Sequence, residues 1–400
     1  MTTYVEDQNT LEICVKLGYD KVLIEESHFS LLSQKDWTEK IDYEHIDSLF
    51  EIGKALNPKL EIVFNLDLMA HDQDLKEVKV LIDHLQRTNY DGIRVQDIGL
   101  ASLIKDVAPE VHLEVHTVTG NYNGQAISFL EKALKPSIRS IVFSKEIPYK
   151  ELKDINDKST LNNEILVHGP ILLFYSKRRL IHESDFAEES HVGTERYGLF
   201  LQEKKRPDEY FRFLDNSHGS FMFHSEILCL IRHIPEILAL DMAYILFDFR
   251  GQEMAVIRDV THGFKTQLRK HDSYSGWDDG DEEIVTKMQN HYPQKLSDGF
   301  FLENLTDSHV KGKESGSAQR VAKVLGVVKE RVMALEVLIP ITTQADYTIK
   351  TPDGKSFSYS PRWIERLDGI NITRALVGSI VIVNWRKGVS TGSSIHQETT

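Results

Sequence analysis

The stretch 61-EIVFNLDLMAHDQDLKEVKVLIDHLQRTNYDGIRVQ-96 decides the fold. Its opening run, Glu61 to Asp67, is apolar and β-branched and stops on polar Asn65 and Asp67. From Asp74 to Arg87 the apolar Leu75, Val78, Leu81, Ile82 and Leu85 recur at spacings of three and four, which predicts an amphipathic helix. Gly92-Ile93-Arg94-Val95 then reads as a second strand, with Gln96 at its end. Strand, helix and strand in such close succession are the repeating unit of a parallel sheet, open or closed.

The same pattern extends in both directions. Thr2–Val5, Val22-Leu23-Ile24, Leu113–His116, Ser140–Phe143, Glu164–His168, Phe221–Phe223 and Tyr244–Phe249 read as further strands, with Leu100–Val107 and Gly124–Leu134 as helices. Eight or nine such strands favour a TIM-barrel-like (β/α) barrel over an open sheet. A dinucleotide fold would need a glycine-rich turn after the first strand. Glu6-Asp7-Gln8-Asn9 stand there instead, and their carboxylates would repel a pyrophosphate. We therefore expect an α/β barrel over 1–265 and a connection over 266–319. That connection holds an acidic loop, HDSYSGWDDGDEE at 271–283, and a linker, KGKESGSAQ at 311–319. A small C-terminal β-barrel-like domain is expected over 320–390, followed by a disordered tail. Its strands are Val332–Ile339, Tyr347–Lys350, Ser356–Tyr359 and Gly378–Val383, with Asp353-Gly354 as a hairpin turn.

Composition narrows the function. With 61 acidic against 47 basic residues the net charge is −14, which disfavours non-specific nucleic-acid binding. Two short basic runs, Lys177-Arg178-Arg179 and Lys204-Lys205-Arg206, read first as solvated faces. No run approaches the roughly 18 apolar residues of a membrane span. The polar start MTTYVEDQNT lacks the basic and apolar regions of a secretory signal. Two cysteines, Cys14 and Cys229, cannot build a disulfide framework, so a cytoplasmic location with free thiols is expected.

In a parallel barrel the chemistry sits at the carboxyl ends of the strands. Those ends supply Glu25, Asn65, Asp67, Gln96, Asp97, His116, His168, Asp248 and Arg250. Asp67 and Asp97 read equally as helix N-caps, and His116 as a satisfied rim histidine. His168 is followed by Gly169-Pro170, where a glycine permits close backbone approach beside an imidazole able to carry a proton. Cys229 lies in the apolar run Glu226–Ile231, read as a helix capped by Ser225, where a thiol is ordinarily a small buried hydrophobe. A reactive role for it would need a neighbouring cation or a helix N-terminus. There is no G-x-S-x-G, H-E-x-x-H or C-x-x-C motif.

Several segments in order resemble the collagenase-like peptidase (U-32) family. They are VFNLDLMAHDQDL at 63–75, IRVQDIGLASLIKDVAPEVHLEVHT at 93–117, EILVHGPILLFYSKRRLI at 164–181 and KKRPDEYFRFLDNSHGSFMFHSEILCLIRHIPEIL at 204–238. YILFDFRG at 244–251 stands where that family has K-I-E-G-R. The resemblance implies a barrel whose catalytic mouth holds His168, Arg250, Asp248 and Asn65. Substrate contacts are then expected from His116, Arg179, Tyr175 and Gln96, with Cys229 as a candidate thiol. It also implies an iron–sulfur cluster on four cysteines and a role in oxygen-independent hydroxylation of RNA or ubiquinone precursors, with prephenate as hydroxyl donor.

This chain departs from that pattern. Arg179 takes the place of the first cluster cysteine, the loop Asp185–Leu199 contains none, and only Cys229 keeps its position. Three of the four ligands are thus absent, and no metal or cluster is expected. The Arg179 guanidinium is expected to fill the vacated place and pair with Asp185, Glu188 or Asp248. Lys177, Leu246 and Asp248 replace the family's signature glycine, lysine and glutamate. Three functions follow as expectations: a divergent hydroxylation-type enzyme acting with RNA or a prephenate-like molecule, a peptidase, and a non-catalytic module that pairs with a protein partner. No membrane partner is expected.

Overall fold

The computed structural model describes the chain except for residues 38–39, 118–122, 181–198, 204–205, 273–278, 303–317, 344, 352–354, 377 and 399–400. The chain divides into two units, Met1–Asn304 and Leu305–Thr400, each with its own apolar core.

Eight parallel strands close a barrel in the first unit. They are β1 (Thr2–Val5), β2 (Lys21–Ile24), β3 (Glu61–Leu66), β4 (Gly92–Val95), β5 (Leu113–His116), β6 (Ile138–Val142), β7 (Glu164–Ser176) and, after an insertion, β11 (Tyr244–Phe247). Closure comes from β11, which pairs in parallel with β7 on one side and β1 on the other. The decisive stretch folds as expected: helix α3 (Leu75–Thr88) buries Val78, Leu81, Ile82 and Leu85 and ends at Asn89 in the left-handed conformation. Asp97 caps helix α4 (Ile98–Val107) by accepting from the Gly99 and Leu100 backbone N–H groups, so it holds the bland role weighed for it.

The barrel interior is layered. At the amino ends Lys21, Arg94, Glu114 and Glu164 form a fully buried ionic quartet with contacts of 2.6 to 2.9 Å. Burial pushes the Glu164 carboxyl up, but Arg94 and Lys21 overcome this and hold it at about 2. Above lies a separate apolar layer of Tyr4, Leu23, Val63, Val142 and Leu246. The larger core, between strands and helices, gathers residues such as Ile62, Phe64, Leu81, Phe247 and Phe264.

Several expectations are corrected. Phe221–Phe223 is not a barrel strand. It belongs to β10 (Gly219–Cys229), which runs antiparallel to β7 and, with β8 (Leu199–Glu203) and β9 (Arg206–Asn216), forms an insertion between the last two barrel strands. Cys229 therefore ends a strand rather than sitting in a helix that Ser225 caps. Part of the acidic run expected as a loop is helical. Asp279–Gln289 forms a helix, and Asp281 is buried in it, accepting from Gln267 and Lys270. The stretch 266–302, expected as a connection, belongs to the first unit, and its opening residues continue the helix Met254–Asp272.

Among the described residues the second unit forms an eight-stranded antiparallel sheet and a two-stranded one. Tyr347–Lys350 pairs with Ser356–Tyr359 as expected, while the turn residues Asp353 and Gly354 lie outside the described residues. The expected disordered tail is instead a strand, Ser394–Glu398, seated between Ala318–Val328 and Tyr347–Lys350 with Ile395 buried. Its alternation of small polar and apolar residues is too short to register as a strand in isolation, and the sheet on both sides supplies what the local pattern lacks.

Candidate functional site

The carboxyl ends of the barrel strands converge on Arg250. Its guanidinium donates twice to Asp248, Nε to Oδ1 at 2.9 Å and Nη2 to Oδ2 at 2.6 Å, and its Nη1 donates to Glu25 Oε1 at 3.1 Å. The plane lies 3.9 Å from the centre of the Tyr4 ring. Asp67 Oδ2 is 3.8 Å from Nη1, while Asp67 Oδ1 accepts from the Leu31 backbone N–H and pins the segment after β2. A rigid fork between fixed carboxylates suits arginine rather than lysine. The same pairing holds Asp248 below the usual carboxylate range although burial pushes it up.

Glu25 behaves oppositely. Burial, reinforced by Glu6 and Asp67 and opposed by Arg250, raises its carboxyl to about 8. Oε1 accepts from Ser30 Oγ at 2.5 Å and Asn65 Nδ2 at 2.9 Å, whereas the buried Oε2 has no partner among the described residues. Glu25 is thus a proton-holding acid at neutral pH, and Asn65 orients it from beneath.

Beside this network lies a cavity of about 100 Å³. Leu31, Phe143, Leu172, Tyr175, Phe221 and Phe223 supply apolar wall, and Gln96, His116, Lys145, Asp248 and Arg250 supply polar groups. Four of the wall residues come from β7 and β10, so the insertion builds one side of the site. Tyr175 stacks on Phe221 at 4.8 Å and donates to the His218 carbonyl. Gln96 donates to the Asp67 carbonyl at 2.5 Å. Burial, with Arg94, Arg250 and Lys145, keeps His116 well below its ordinary value, so it is neutral, and its buried Nδ1 has no protein partner. Burial likewise lowers Lys145 to about 8.

The structure thus gathers Gln96, His116, Tyr175, Asp248 and Arg250 around one cavity, with Asn65 one contact behind. It does not bring His168, Cys229 or Arg179 to it. His168 turns outward into the helix layer, bonding Tyr292 Oη at 2.8 Å beside Phe249 and Phe264. Burial pushes it down to about 3. Its Gly169 has φ +148°, and a Cβ there would lie 2.8 Å from the Asp248 Cβ, so the glycine serves the close approach of β7 to β11. Arg179 stands 3.6 Å from Asp36, not from Asp248, and the expected partners Asp185 and Glu188 lie outside the described residues. Sequence reasoning missed Lys145, two residues beyond the visible end of its strand.

Comparison with known proteins places the chain. The sequence profile of peptidase family U32 matches residues 6–311. The chain belongs to peptidase family U32. Among its relatives, an uncharacterized protease of Methanocaldococcus jannaschii is 21% identical over 64% of this chain and 63% of its own length. In Bacillus subtilis, tRNA hydroxylation protein P1 is 25% identical over 46% of this chain and 42% of its own. The same organism's tRNA hydroxylation protein P2 is 20% identical over 72% and 93%. The chain therefore spans less than two thirds of the first two of these relatives.

The chain holds two cysteines, where the U32 resemblance implies four for a cluster. Of the two cysteines, Cys14 is buried in the helix Gln8–Lys16. Burial pushes the Cys229 thiol up to about 12. Among the described residues no three His, Cys, Asp or Glu side chains are placed to hold a metal ion. No helix among the described residues is long and apolar enough to cross a membrane.

Proposed function

We propose that this U32 protein is a modification-type enzyme of the hydroxylation branch, which takes a small carboxylated molecule into the barrel mouth and works without a resident cluster. One observation carries the reading: a cavity of apolar walls in which a single ammonium, Lys145, stands near neutral His116 and Gln96. Apolar surface takes up a ring or hydrocarbon body, and the few polar groups fix its orientation. The Arg250 fork is occupied by Asp248 and Glu25, which leaves Lys145 as the counterion for an incoming carboxylate. Glu25 supplies a proton-holding carboxyl at the same mouth.

The names of the Bacillus relatives, tRNA hydroxylation proteins, support an RNA as the final acceptor. A cysteine-peptidase reading draws no support from Cys229, which is buried at a strand end with its thiol held protonated. The test is direct. Titration with prephenate and with phenylpyruvate, followed by calorimetry, is expected to show saturable binding that Lys145→Met weakens at least tenfold. Nucleosides from tRNA and rRNA of cells lacking the gene are expected to lose one hydroxylated species. Absence of binding by any aromatic carboxylate would remove the small-molecule part, and an unchanged nucleoside profile the RNA part.

A further inference from the structure

Lys145 has a second property that simple charge pairing does not use. It follows β6 at the carboxyl end of the barrel and lines the cavity together with Phe143 and Ser144. Among the described residues no side chain or carbonyl hydrogen-bonds its Nζ, although carboxylates lie elsewhere in the mouth. The acidic Asp248 is turned toward Arg250 by a bidentate contact. Burial lowers this amine, the charges of Glu146 and Asp248 oppose the shift and Arg250 adds to it; an amine so desolvated against apolar wall is the environment in which a lysine becomes a nucleophile. His116, at the end of the adjacent β5, faces the same cavity with its Nδ1 unpartnered.

We propose that Lys145 captures a 2-oxo acid covalently, as an imine on its side chain. The neutral Nζ attacks the carbonyl carbon, and the carbon–oxygen π pair moves to oxygen, which takes a proton. The carbinolamine then loses that hydroxyl as water, with His116 carrying a proton from nitrogen to the departing oxygen. Amine and ketone give imine and water, and no oxidant or reductant is consumed. The lowered amine supports the first step, since about half of Lys145 is neutral near pH 8. The inference rests on the small-carboxylate reading above and adds a bond to it.

The experiment incubates the full chain with phenylpyruvate or pyruvate in the presence of cyanoborohydride, which reduces an imine to a stable secondary amine. Peptide mapping by mass spectrometry is expected to place one adduct on Lys145, at concentrations that leave the exposed Lys76 and Lys132 unmodified. Lys145→Met, checked for folding by its melting profile, loses the adduct, and His116→Gln slows its formation at least tenfold. No adduct, or one spread equally over the exposed lysines, overturns the imine. Phenyllactate, which has a hydroxyl in place of the keto group, separates the two readings. If it binds in the cavity while phenylpyruvate is never trapped, the covalent step falls and the binding site stands; if neither acid binds, both fall.

Discussion

Arg250 and Glu25 show how one buried cation sorts its acidic neighbours. Asp248 receives two hydrogen bonds from the fork and stays ionised, while Glu25 receives one and is held protonated by its burial and by Glu6 and Asp67. Removing the guanidinium by Arg250→Ala leaves buried carboxylates without their partner, and should cost about 3–5 kcal/mol in a denaturant melt. Glu25 has a signature of its own. Its folded value of about 8 lies above the roughly 4.3 of an unfolded glutamate, so the folded state binds the extra proton. Its stabilising share is therefore complete below about pH 4.3 and is lost as pH rises toward 8. Glu25→Gln cannot lose that proton, so the gap in melting temperature between variant and wild type should widen in the variant's favour from pH 5 to pH 9. A gap independent of pH would show that Glu25 titrates normally. Most of this was hidden from the sequence, which marks strand-end polar residues but not which of them Arg250 claims.

At the scale of the element, legibility followed locality. Strands and helices whose burial pattern is set by their own period, such as α3, could be read directly, because the apolar stripe is visible along the chain. Residues 219–229 misled because a strand of an inserted antiparallel sheet carries the same apolar run as a barrel strand, and only its partners distinguish the two. His168 misled in a related way. The register shift between β7 and β11 turns it from the mouth toward Tyr292, and a shift of one residue reverses every side chain after it. Gly169 sits at that shift. Gly169→Ala is expected to destabilise by about 1–3 kcal/mol, since the new Cβ meets Asp248 in a conformation that L residues rarely adopt. Gly326→Ala, where nothing lies within 4 Å, serves as the comparison and should stay within about 0.5 kcal/mol. Equal melting shifts in the two variants would contradict this account of the glycine.

Across the whole molecule, two cores imply two separately folding bodies. A fragment of residues 305–400 is expected to give dispersed amide resonances in an NMR spectrum and a cooperative melt of its own; a collapsed spectrum would mean that its sheet depends on the barrel. The ionic quartet makes a further demand on the larger body. Lys21→Met leaves Glu114 and Glu164 to Arg94 alone and should lower barrel stability by about 3–5 kcal/mol, read as an earlier denaturant midpoint with an unchanged slope. The barrel was foreseeable because parallel strands announce themselves in series, whereas the quartet was not, since its four members come from four strands. Closure also has a cost in time. Thr2–Val5 is made before the other barrel strands and finds β2 at once, but its other neighbour is Tyr244–Phe247. That partner arrives roughly 240 residues later, after the whole insertion has been made. Until then the nascent chain presents an open seam of apolar strand, which makes it a natural client for a chaperone that shields sheet edges during synthesis.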